Sequence, residues 1–593
     1  MNNRQSEVAK DFKGTITKLI KYDKSLVRLL VISLILAFAS SALSIIGPDK
    51  LKDITNVITN NIMTGIPLAE VNSIAITIVI IYGISAIFGY LEGFLVNEVT
   101  ACFQRKMRND ISKKINVLPL SFFDKTTVGD ILSRVTNDVD NIGFTMTQSL
   151  SSIVGSSTLL IGSLIMMFYT NWILAITAIL STIIGLVFVV IIITKSQKYF
   201  NEVQKSLGEI NGHIEEVFSG HNVIKAYNAE DEMNEKFDKI NDHLFECGRK
   251  SQFLSGLMHP LMGFTGNFGY VVVCVVGSIL VLNKTIDFGV IVAFMMYIKF
   301  FTRPLMQIAQ SFTGVQSATA ASERVFEFLE ENEMPNEKAL TDKLEIANVK
   351  GNLEFDDVHF SYNPDKEIIH GFKAKALSGQ KIAIVGPTGA GKTTIVNLLM
   401  KFYPINSGNI IIDGHKISDI TRENVHDLFT MVLQDTWVFE GTIKENIRYN
   451  NKNISDDEII EACKKVGLHH LIKTLPKGYD TVLTDSDNLS AGEKQLLTIA
   501  RAMISKKPFL ILDEATSNVD TRTEELVQKA MDKLTKGKTS FIIAHRLSTI
   551  RNADLILVMN NGKIIEQGTH DELLKKNGFY AELYNSQFQE LLD

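Results

Sequence analysis

The clearest chemistry in this sequence lies in the segment KIAIVGPTGAGKTTIVNLLM, residues 381–400. It reads as an apolar strand, a loop of the form G-x-x-x-x-G-K-T, and an amphipathic helix. Glycines in such a loop let backbone N–H groups point at phosphate oxygens, the lysine reaches the terminal phosphates, and the hydroxyl after it can hold magnesium. The segment therefore predicts a nucleoside triphosphate site. Its candidate residues are Gly386, Thr388, Gly389, Gly391, Lys392, Thr393 and Thr394.

Two later strands end in side chains that suit the same chemistry. The run PFLILDEATSNVD, residues 508–520, closes an apolar strand with Asp513, whose carboxylate can join a magnesium shell. Glu514 stands beside it, where it can orient or activate a water against the terminal phosphate. A further strand, TSFIIAH, ends at His545, whose imidazole can reach that phosphate, although a lone histidine is more often structural. Behind a glycine-rich loop, these residues indicate hydrolysis of the nucleotide with Mg²⁺ bound.

A third stretch, NLSAGEKQLLTIARAM at residues 488–503, predicts a helix whose N-terminus faces an anion. Ser490 is placed at the N-cap and Glu493 follows three residues later. If Ala491 must adopt a positive φ, its methyl group is unfavourable by on the order of 1 kcal/mol, and a carboxylate facing phosphate adds repulsion. The alternative is that Glu493 only closes a capping box and the helix start works normally.

The chain as a whole is too long for a single core and too apolar for an ordinary soluble protein. Of the 593 residues, 46% are hydrophobic, which predicts at least two domains, one of them in lipid. The net charge of -6 gives no reason to expect a nucleic-acid partner. Four scattered cysteines match no metal spacing and are expected to be free thiols.

Uncharged runs long enough to cross a bilayer predict six membrane spans. The runs are 29–47, 71–91, 141–194 (two spans, separated near Tyr169 to Trp172), 251–283 and a last span from Phe288. Lysine and arginine concentrate in the loops after spans two and four, so both termini are expected on the cytoplasmic side of the cell membrane. Lys299 falls inside the sixth span, where a cation is unfavourable unless it faces water or an acid. We expect it to line a central cavity; the alternative is that it extends to the inner interface.

The composition divides the chain into three parts. Residues 1–320 are expected to form the transmembrane domain with two long cytoplasmic loops, 321–350 an acidic linker, and 351–593 a domain in which strands alternate with helices. The fold class expected from the sequence is thus an α-helical six-span transmembrane domain followed by an α/β P-loop nucleotide-binding domain.

Together these motifs resemble the ATP-binding cassette (ABC) transporter family, and six spans followed by one cassette resemble an exporter half-transporter. The resemblance implies that Tyr362 in FSYNP stacks on adenine, that Gln434 in VLQD touches the metal, and that Asp520 in SNVD communicates across a dimer. It also implies coupling helices, one near residues 215–220 and one that contains Phe123, Asp124, Gly129 and Asp130.

The resemblance further implies that the signature stretch binds the ATP held by a second chain. The family pattern Leu-Ser-Gly-Gly-Gln reads here as Leu489, Ser490, Ala491, Gly492 and Glu493. Because the chain's own site looks complete while its signature is altered, we expect a heterodimer of the multidrug-exporter kind with a different half-transporter chain. A homodimer is the alternative.

The function expected on this basis is ATP-driven export of an amphipathic or apolar substrate by alternating access, in contact with membrane lipid. A lipid flippase of the same architecture is a second transport function. Two other classes are a regulated channel and a cassette ATPase that transports nothing. The sequence does not identify the substrate.

Overall fold

A computed structural model of the chain describes residues 11–340, 342–433, 436–451, 453–484, 489–513, 521–543 and 547–588. The chain divides into two compact units. The first holds the residues up to Asn116 together with Val128–Glu331, and the second holds Val117–Thr127 together with the residues from Asn332 onward. The short segment Val117–Thr127 thus belongs with the C-terminal unit although it interrupts the N-terminal one.

Helices make up the chain before residue 332. They are α1 Phe12–Tyr22, α2 Lys24–Asn60, α3 Leu68–Val117, α4 Leu120–Phe123, α5 Val128–Ser133, α6 Val139–Thr145, α7 Ser151–Thr170, α8 Trp172–Ser219, α9 His221–Tyr227, α10 Glu230–Gly256, α11 Met258–Leu282 and α12 Phe288–Glu330. Two π-helical turns, Arg134–Asp138 and Met146–Leu150, join α5, α6 and α7 into one continuous helical segment.

Among the described residues, six helical segments are long and apolar enough to cross a membrane, so the six-span prediction is confirmed. The break between spans three and four lies where the sequence placed it. α7 ends at Thr170, and the Asn171 side chain accepts a hydrogen bond from the backbone N–H of Leu174 at 3.0 Å. This N-cap starts α8 at Trp172.

The last span, α12, is half buried within its own unit. Phe294, Tyr297 and Ile298 are almost fully buried on one face, where they pack with residues of α7, α8 and α11. Lys299 and Arg303 lie on the exposed side, one helical turn apart. The helix continues to Glu330, so it includes residues 321–330 of the predicted linker.

The second unit is an α/β domain. Its strands are β1 Leu353–Phe360, β2 Ile369–Ala376, β3 Lys381–Val385, β4 Ser407–Ile412, β5 His415–Lys416, β6 Phe429–Val432, β7 Gly441–Thr442, β8 Val482–Leu483, β9 Phe509–Asp513, β10 Thr539–Ile543, β11 Leu555–Asn560 and β12 Lys563–Gly568. Its helices after residue 332 are α13 Lys392–Leu399, α14 Arg422–Leu428, α15 Ile443–Arg448, α16 Asp456–Val466, α17 His469–Thr474, α18 Ala491–Ile504, α19 Thr521–Thr535, α20 Leu547–Arg551, α21 His570–Lys576 and α22 Phe579–Phe588.

Two main sheets build this unit. The order β12-β11-β3-β10-β9-β6 gives a six-stranded sheet in which all neighbours pair in parallel except β11 and β12. Alternate residues of its central strands enter two different buried clusters, one on each face. This explains why these strands are continuously apolar in sequence. The second sheet, β2-β1-β4-β5, is antiparallel.

The remainder of the predicted linker is anchored to the second unit. The Glu337 carboxylate accepts a hydrogen bond from the backbone N–H of Arg422 at 2.6 Å and lies 3.0 Å from Nζ of Lys401. Bonds from these two residues lower the pKa of Glu337 against the opposing effect of burial. The part of the predicted linker around Glu337 is therefore attached to the surface of this domain.

Candidate nucleotide-binding site

The parallel sheet brings the predicted phosphate-binding residues to one edge. Ile543 of β10 pairs with Ile384 of β3 on one side and with Asp513 of β9 on the other. All three strands run in the same direction, so their carboxyl ends meet. The glycine-rich loop leaves β3 at this edge, and Asp513, which is almost fully buried, ends β9 beside it.

The loop depends on glycine in two different ways. A Cβ on Gly386 would lie 2.3 Å from the carbonyl oxygen of Met559, so the backbone there approaches β11 too closely for a side chain. Gly389 and Gly391 have φ values of 83° and 99°, which L residues with side chains rarely adopt. The loop therefore exposes its backbone, as phosphate binding requires.

Lys392 is the first residue of α13 and is buried. Its Nζ donates to the carbonyl oxygens of Gly386 at 2.7 Å and Pro387 at 3.1 Å, so the ammonium group lies over the loop. Burial lowers the pKa of Lys392, and the Asp513 carboxylate opposes this shift. Thr393 next to it is exposed at the start of α13, and Thr394 is buried. Thr388 lies on the exposed part of the loop.

Tyr362 lies next to the start of α13, in the loop between β1 and β2. Its hydroxyl donates to Oγ1 of Thr394 at 3.3 Å and accepts from Nδ2 of Asn397 at 3.2 Å. The ring is 41% exposed, which leaves a face free to stack. The structure thus brings the residue expected to contact adenine to the phosphate-binding loop. Asn397 was not predicted, because a single asparagine on a helix gives no signal in sequence.

A second tyrosine links this site to the segment Val117–Thr127. The ring centroid of Tyr403 lies 4.9 Å from that of Tyr362, and the Tyr403 hydroxyl donates to Oδ2 of Asp124. Burial, and then the bond to Asp124, raises the pKa of Tyr403. The family resemblance placed Asp124 in a coupling helix but did not identify Tyr403 as its partner, since no spacing relates residues this far apart.

The predicted coupling residues are divided between the two units. Phe123 ends α4, and Asp124 follows it in the second unit, whereas Gly129 and Asp130 lie in α5 of the first unit. The stretch 215–219 is the end of α8, and a separate short helix, α9, follows Gly220.

The signature helix α18 begins in an ordinary way. Oγ of Ser490 accepts from the backbone N–H of Glu493 at 3.3 Å, and the Glu493 carboxylate accepts from the backbone N–H of Ser490 at 2.7 Å. This is a complete capping box. Ala491 is the first helical residue and is not among the residues with positive φ, so the strain considered for it does not arise. Gly492 is buried in the same turn.

Four predicted site residues lie outside the described part of the chain. They are Gln434, Glu514, Asp520 and His545. Their assignments stay predictions from the sequence. Of their described neighbours in sequence, Asp513 ends β9 and Ile543 ends β10 at the same edge of the sheet.

Comparison with known proteins identifies both units. Residues 30–305 match the family described as ABC transporter transmembrane region, and residues 369–517 match the family described as ABC transporter. The chain is 42% identical to "Fatty acid ABC transporter ATP-binding/permease protein" of Mycobacterium bovis, over 88% of this chain and 82% of that protein.

Two further relatives cover most of the chain. "ATP-dependent lipid A-core flippase" of Syntrophus aciditrophicus is 32% identical over 95% of this chain and 92% of its own length. "Probable multidrug resistance ABC transporter ATP-binding/permease protein YheH" of Bacillus subtilis is 34% identical over 85% and 75%. The chain therefore belongs to the ABC transporter family, as a multi-pass membrane half-transporter of the exporter type that couples ATP hydrolysis to transport.

Proposed function

We propose that this exporter moves an amphipathic substrate with an anionic group out of the cell. The observation that carries the proposal is the pair Lys299 and Arg303 on the exposed side of α12. Lys299 lies about 16 Å from the start of the helix at roughly 1.5 Å per residue, near the middle of a ~30 Å hydrocarbon layer. No acidic side chain among the described residues forms an ion pair with Lys299.

A cation at that depth is unfavourable by about 3 kcal/mol or more if it faces lipid. Two cations one helical turn apart also repel each other. Both effects are relieved if this side of α12 faces a hydrated cavity that receives a negatively charged group. The apolar residues of the other spans then suit the apolar part of an amphipathic molecule. Relatives named for fatty acids and for lipid A-core support the same substrate class.

ATP hydrolysis at the nucleotide site supplies the energy for this transport. ATP is expected to lie with its phosphates on the loop 386–391 and its base against Tyr362. Thr393 and Asp513 offer the hard oxygen ligands that Mg²⁺ prefers, and they lie at the edge of the sheet where the loop begins. Glu514 is the proposed catalytic carboxylate, with His545 beside the terminal phosphate. The termini are proposed to be cytoplasmic, with the cassette.

The working unit is proposed to be a dimer, because the signature helix of one chain serves the ATP of the other. The altered signature beside a fully equipped site supports a heterodimer whose partner has an ordinary signature and a compromised catalytic carboxylate. The intact capping box and the unstrained Ala491 support a homodimer. Purification of the chain alone decides: robust, cooperative ATP turnover without a partner contradicts the heterodimer. With a partner, Ala491→Gly and Glu493→Gln should alter nucleotide trapping at the partner's site only.

The substrate class is tested by ATPase stimulation in lipid vesicles. A long-chain fatty acid and the alcohol of equal chain length differ only in the anionic group. The acid should stimulate turnover several-fold more than the alcohol, and Lys299→Gln with Arg303→Gln should remove this preference. Lys195→Gln is the matched control, since Lys195 is an exposed lysine at the cytoplasmic end of a span. Equal stimulation by acid and alcohol would contradict the proposed class.

A lipid flippase is the second candidate, favoured by the flippase relative. Movement of a labelled phospholipid between leaflets that requires ATP, with no release of substrate into the vesicle lumen, would favour the flippase. A channel predicts flux down a gradient that continues in a Glu514→Gln variant, whereas a pump stops in that variant.

A further inference from the structure

The loop that carries Tyr362 is held at its far end by a cluster of ionisable side chains. The loop spans residues 361–368 and joins β1 to β2, whose last paired residues are Phe360 and Ile369. Tyr362 stands near its start and Glu367 near its end. The position of the tyrosine ring over α13 therefore depends on how both ends of this loop are fixed.

Glu367 contacts one histidine from each of the two strands. Nδ1 of His359, on β1, lies 2.6 Å from Oε1 of Glu367, and Nδ1 of His370, on β2, lies 3.0 Å from Oε2. One carboxylate thus joins the two strands at the base of the loop. We name these three residues the His-Glu-His clip. Each of its side chains is between 33% and 41% exposed, so the clip is open to protons from solvent.

The clip is connected to the phosphate-binding loop through the backbone. The N–H of His370 donates to the carbonyl oxygen of Gly562 at 3.0 Å, and the N–H of Gly562 donates to the carbonyl oxygen of Ala390 at 3.1 Å. Ile369 also packs closely on the loop, since a Cβ on Gly391 would lie 2.8 Å from its Cδ1. A movement at the base of the β1–β2 hairpin would therefore shift both Tyr362 and the glycine-rich loop.

We propose that Glu367, His359 and His370 are positioning residues for ATP binding, and that protonation of the two histidines tightens this positioning. The proposal rests on the proposed function of the site, in which Tyr362 contacts the base. Among the described residues no group of three or more histidine, cysteine or acidic side chains can hold a metal ion, so the clip is treated as hydrogen-bonded.

The direction of the pH effect follows from the charges around the clip. The hydrogen bond from His359 lowers the pKa of Glu367, so the carboxylate stays ionised throughout the neutral range. A protonated imidazole donates a charge-assisted hydrogen bond to it, which is roughly twice as strong as the neutral bond. Histidine is the side chain that most often changes its charge between pH 5 and pH 8. The clip should therefore be tighter at pH 6 than at pH 8.

Other charged side chains near the clip also contribute to its electrostatic surroundings. Asp357 lies 3.8 Å from Nε2 of His359, and Nζ of Lys373 lies 3.3 Å from Asp357. Lys563 and Glu566 of β12 line the same cleft as His370. These groups carry both signs of charge. They therefore do not cancel the attraction between the Glu367 carboxylate and a protonated imidazole.

The test is equilibrium binding of ATP to the purified full chain in lipid between pH 6 and pH 8.5. Wild type should bind ATP about three- to tenfold more weakly at pH 8 than at pH 6, beyond the change common to all variants. Glu367→Gln and the double variant His359→Gln, His370→Gln should bind weakly at pH 6 and lose this pH dependence. His415→Gln is the matched control, since His415 is another exposed histidine near a carboxylate, that of Asp342 at 3.4 Å.

Two further measurements separate the clip from the site itself. Tyr362→Ala should weaken ATP binding at every pH, because stacking is lost. If Tyr362→Ala weakens binding while Glu367→Gln keeps the wild-type pH profile, the clip is refuted and the site stands. If Tyr362→Ala binds ATP normally, the assignment of Tyr362 fails first. Turnover at saturating ATP should stay within about twofold in the clip variants, as expected for residues that act on affinity.

Discussion

Glu514 shows how far a single residue can be judged from sequence. Its neighbour Asp513 ends a five-residue buried strand at the edge of the sheet where the phosphate-binding loop begins, and Glu514 is the next residue in the sequence. A base in this position typically contributes a factor of about 10² to 10⁴.

Glu514→Gln should retain ATP binding, because Lys392, Thr393 and Asp513 remain, and should slow hydrolysis by on the order of 10² or more. Binding and turnover are measured on the same preparation. The expected product is a dimer that stays closed on ATP. Near-normal turnover would show that another group is the catalytic base.

Cys463 is a second case at the residue scale, where burial controls reactivity. The thiol is fully buried in α16, and burial raises its pKa to about 11. Only the thiolate reacts with alkylating reagents, and at pH 8 roughly one thousandth of such a thiol is ionised.

Iodoacetamide at pH 8 should therefore leave Cys463 unmodified in the folded protein and modify it after denaturation. Raising the pH toward 10 should increase the thiolate fraction about a hundredfold, although burial still limits access. Mass spectrometry locates the label, and the half-buried Cys102 serves as the internal comparison. Rapid labelling of Cys463 in the native chain would contradict its buried position.

The phosphate-binding loop is the element in which local geometry matters most. Gly386 and Gly389 belong to the same loop but meet different constraints. A side chain at Gly386 collides with the backbone of β11, while nothing lies within 4 Å of a Cβ at Gly389, whose only difficulty is its positive φ.

Gly386→Ala should therefore lose ATP binding by tenfold or more and lower the melting temperature. Gly389→Ala should lose about 1 kcal/mol through backbone strain and retain most binding. The two variants are compared by thermal unfolding with and without ATP. Equal damage from both substitutions would indicate that the loop differs from this description.

At the scale of the whole molecule, the segment Val117–Thr127 is the feature of most consequence. It is part of the second unit, yet the chain enters it from α3 and leaves it to α5, which belong to the first. The hydrogen bond from Tyr403 to Asp124 holds the segment close to Tyr362.

Tyr403→Phe should keep the ring contact with Tyr362 and remove only the hydrogen bond. Basal ATP binding should remain within about twofold, while stimulation of ATPase activity by substrate should fall several-fold. Asp124→Asn, which leaves an acceptor for the hydroxyl, is the milder companion variant. Full stimulation of ATPase activity by substrate in Tyr403→Phe would show that this hydrogen bond has no part in coupling transport to hydrolysis.

The sequence by itself determined the six spans, the α/β cassette and the phosphate-binding loop. These features depend on patterns within about twenty residues, such as an uncharged run of span length or glycines at fixed spacing. Such patterns can be interpreted without knowing which distant residues are in contact. The same local rule explains the capping box of α18. It was among the alternatives considered, because Ser490 and Glu493 are only three residues apart.

Only the tertiary structure decided which distant residues meet. The hydrogen bond from Tyr403 to Asp124, the contacts of His359 and His370 with Glu367, and the close approach of Gly386 to Met559 all arise where separate elements come together. A sequence pattern does not predict such pairs, because the distance along the chain does not determine the distance in space. Ala491 shows the converse: strain was predicted only if this residue had a positive φ, and the structure instead makes it the first residue of a helix without a positive φ.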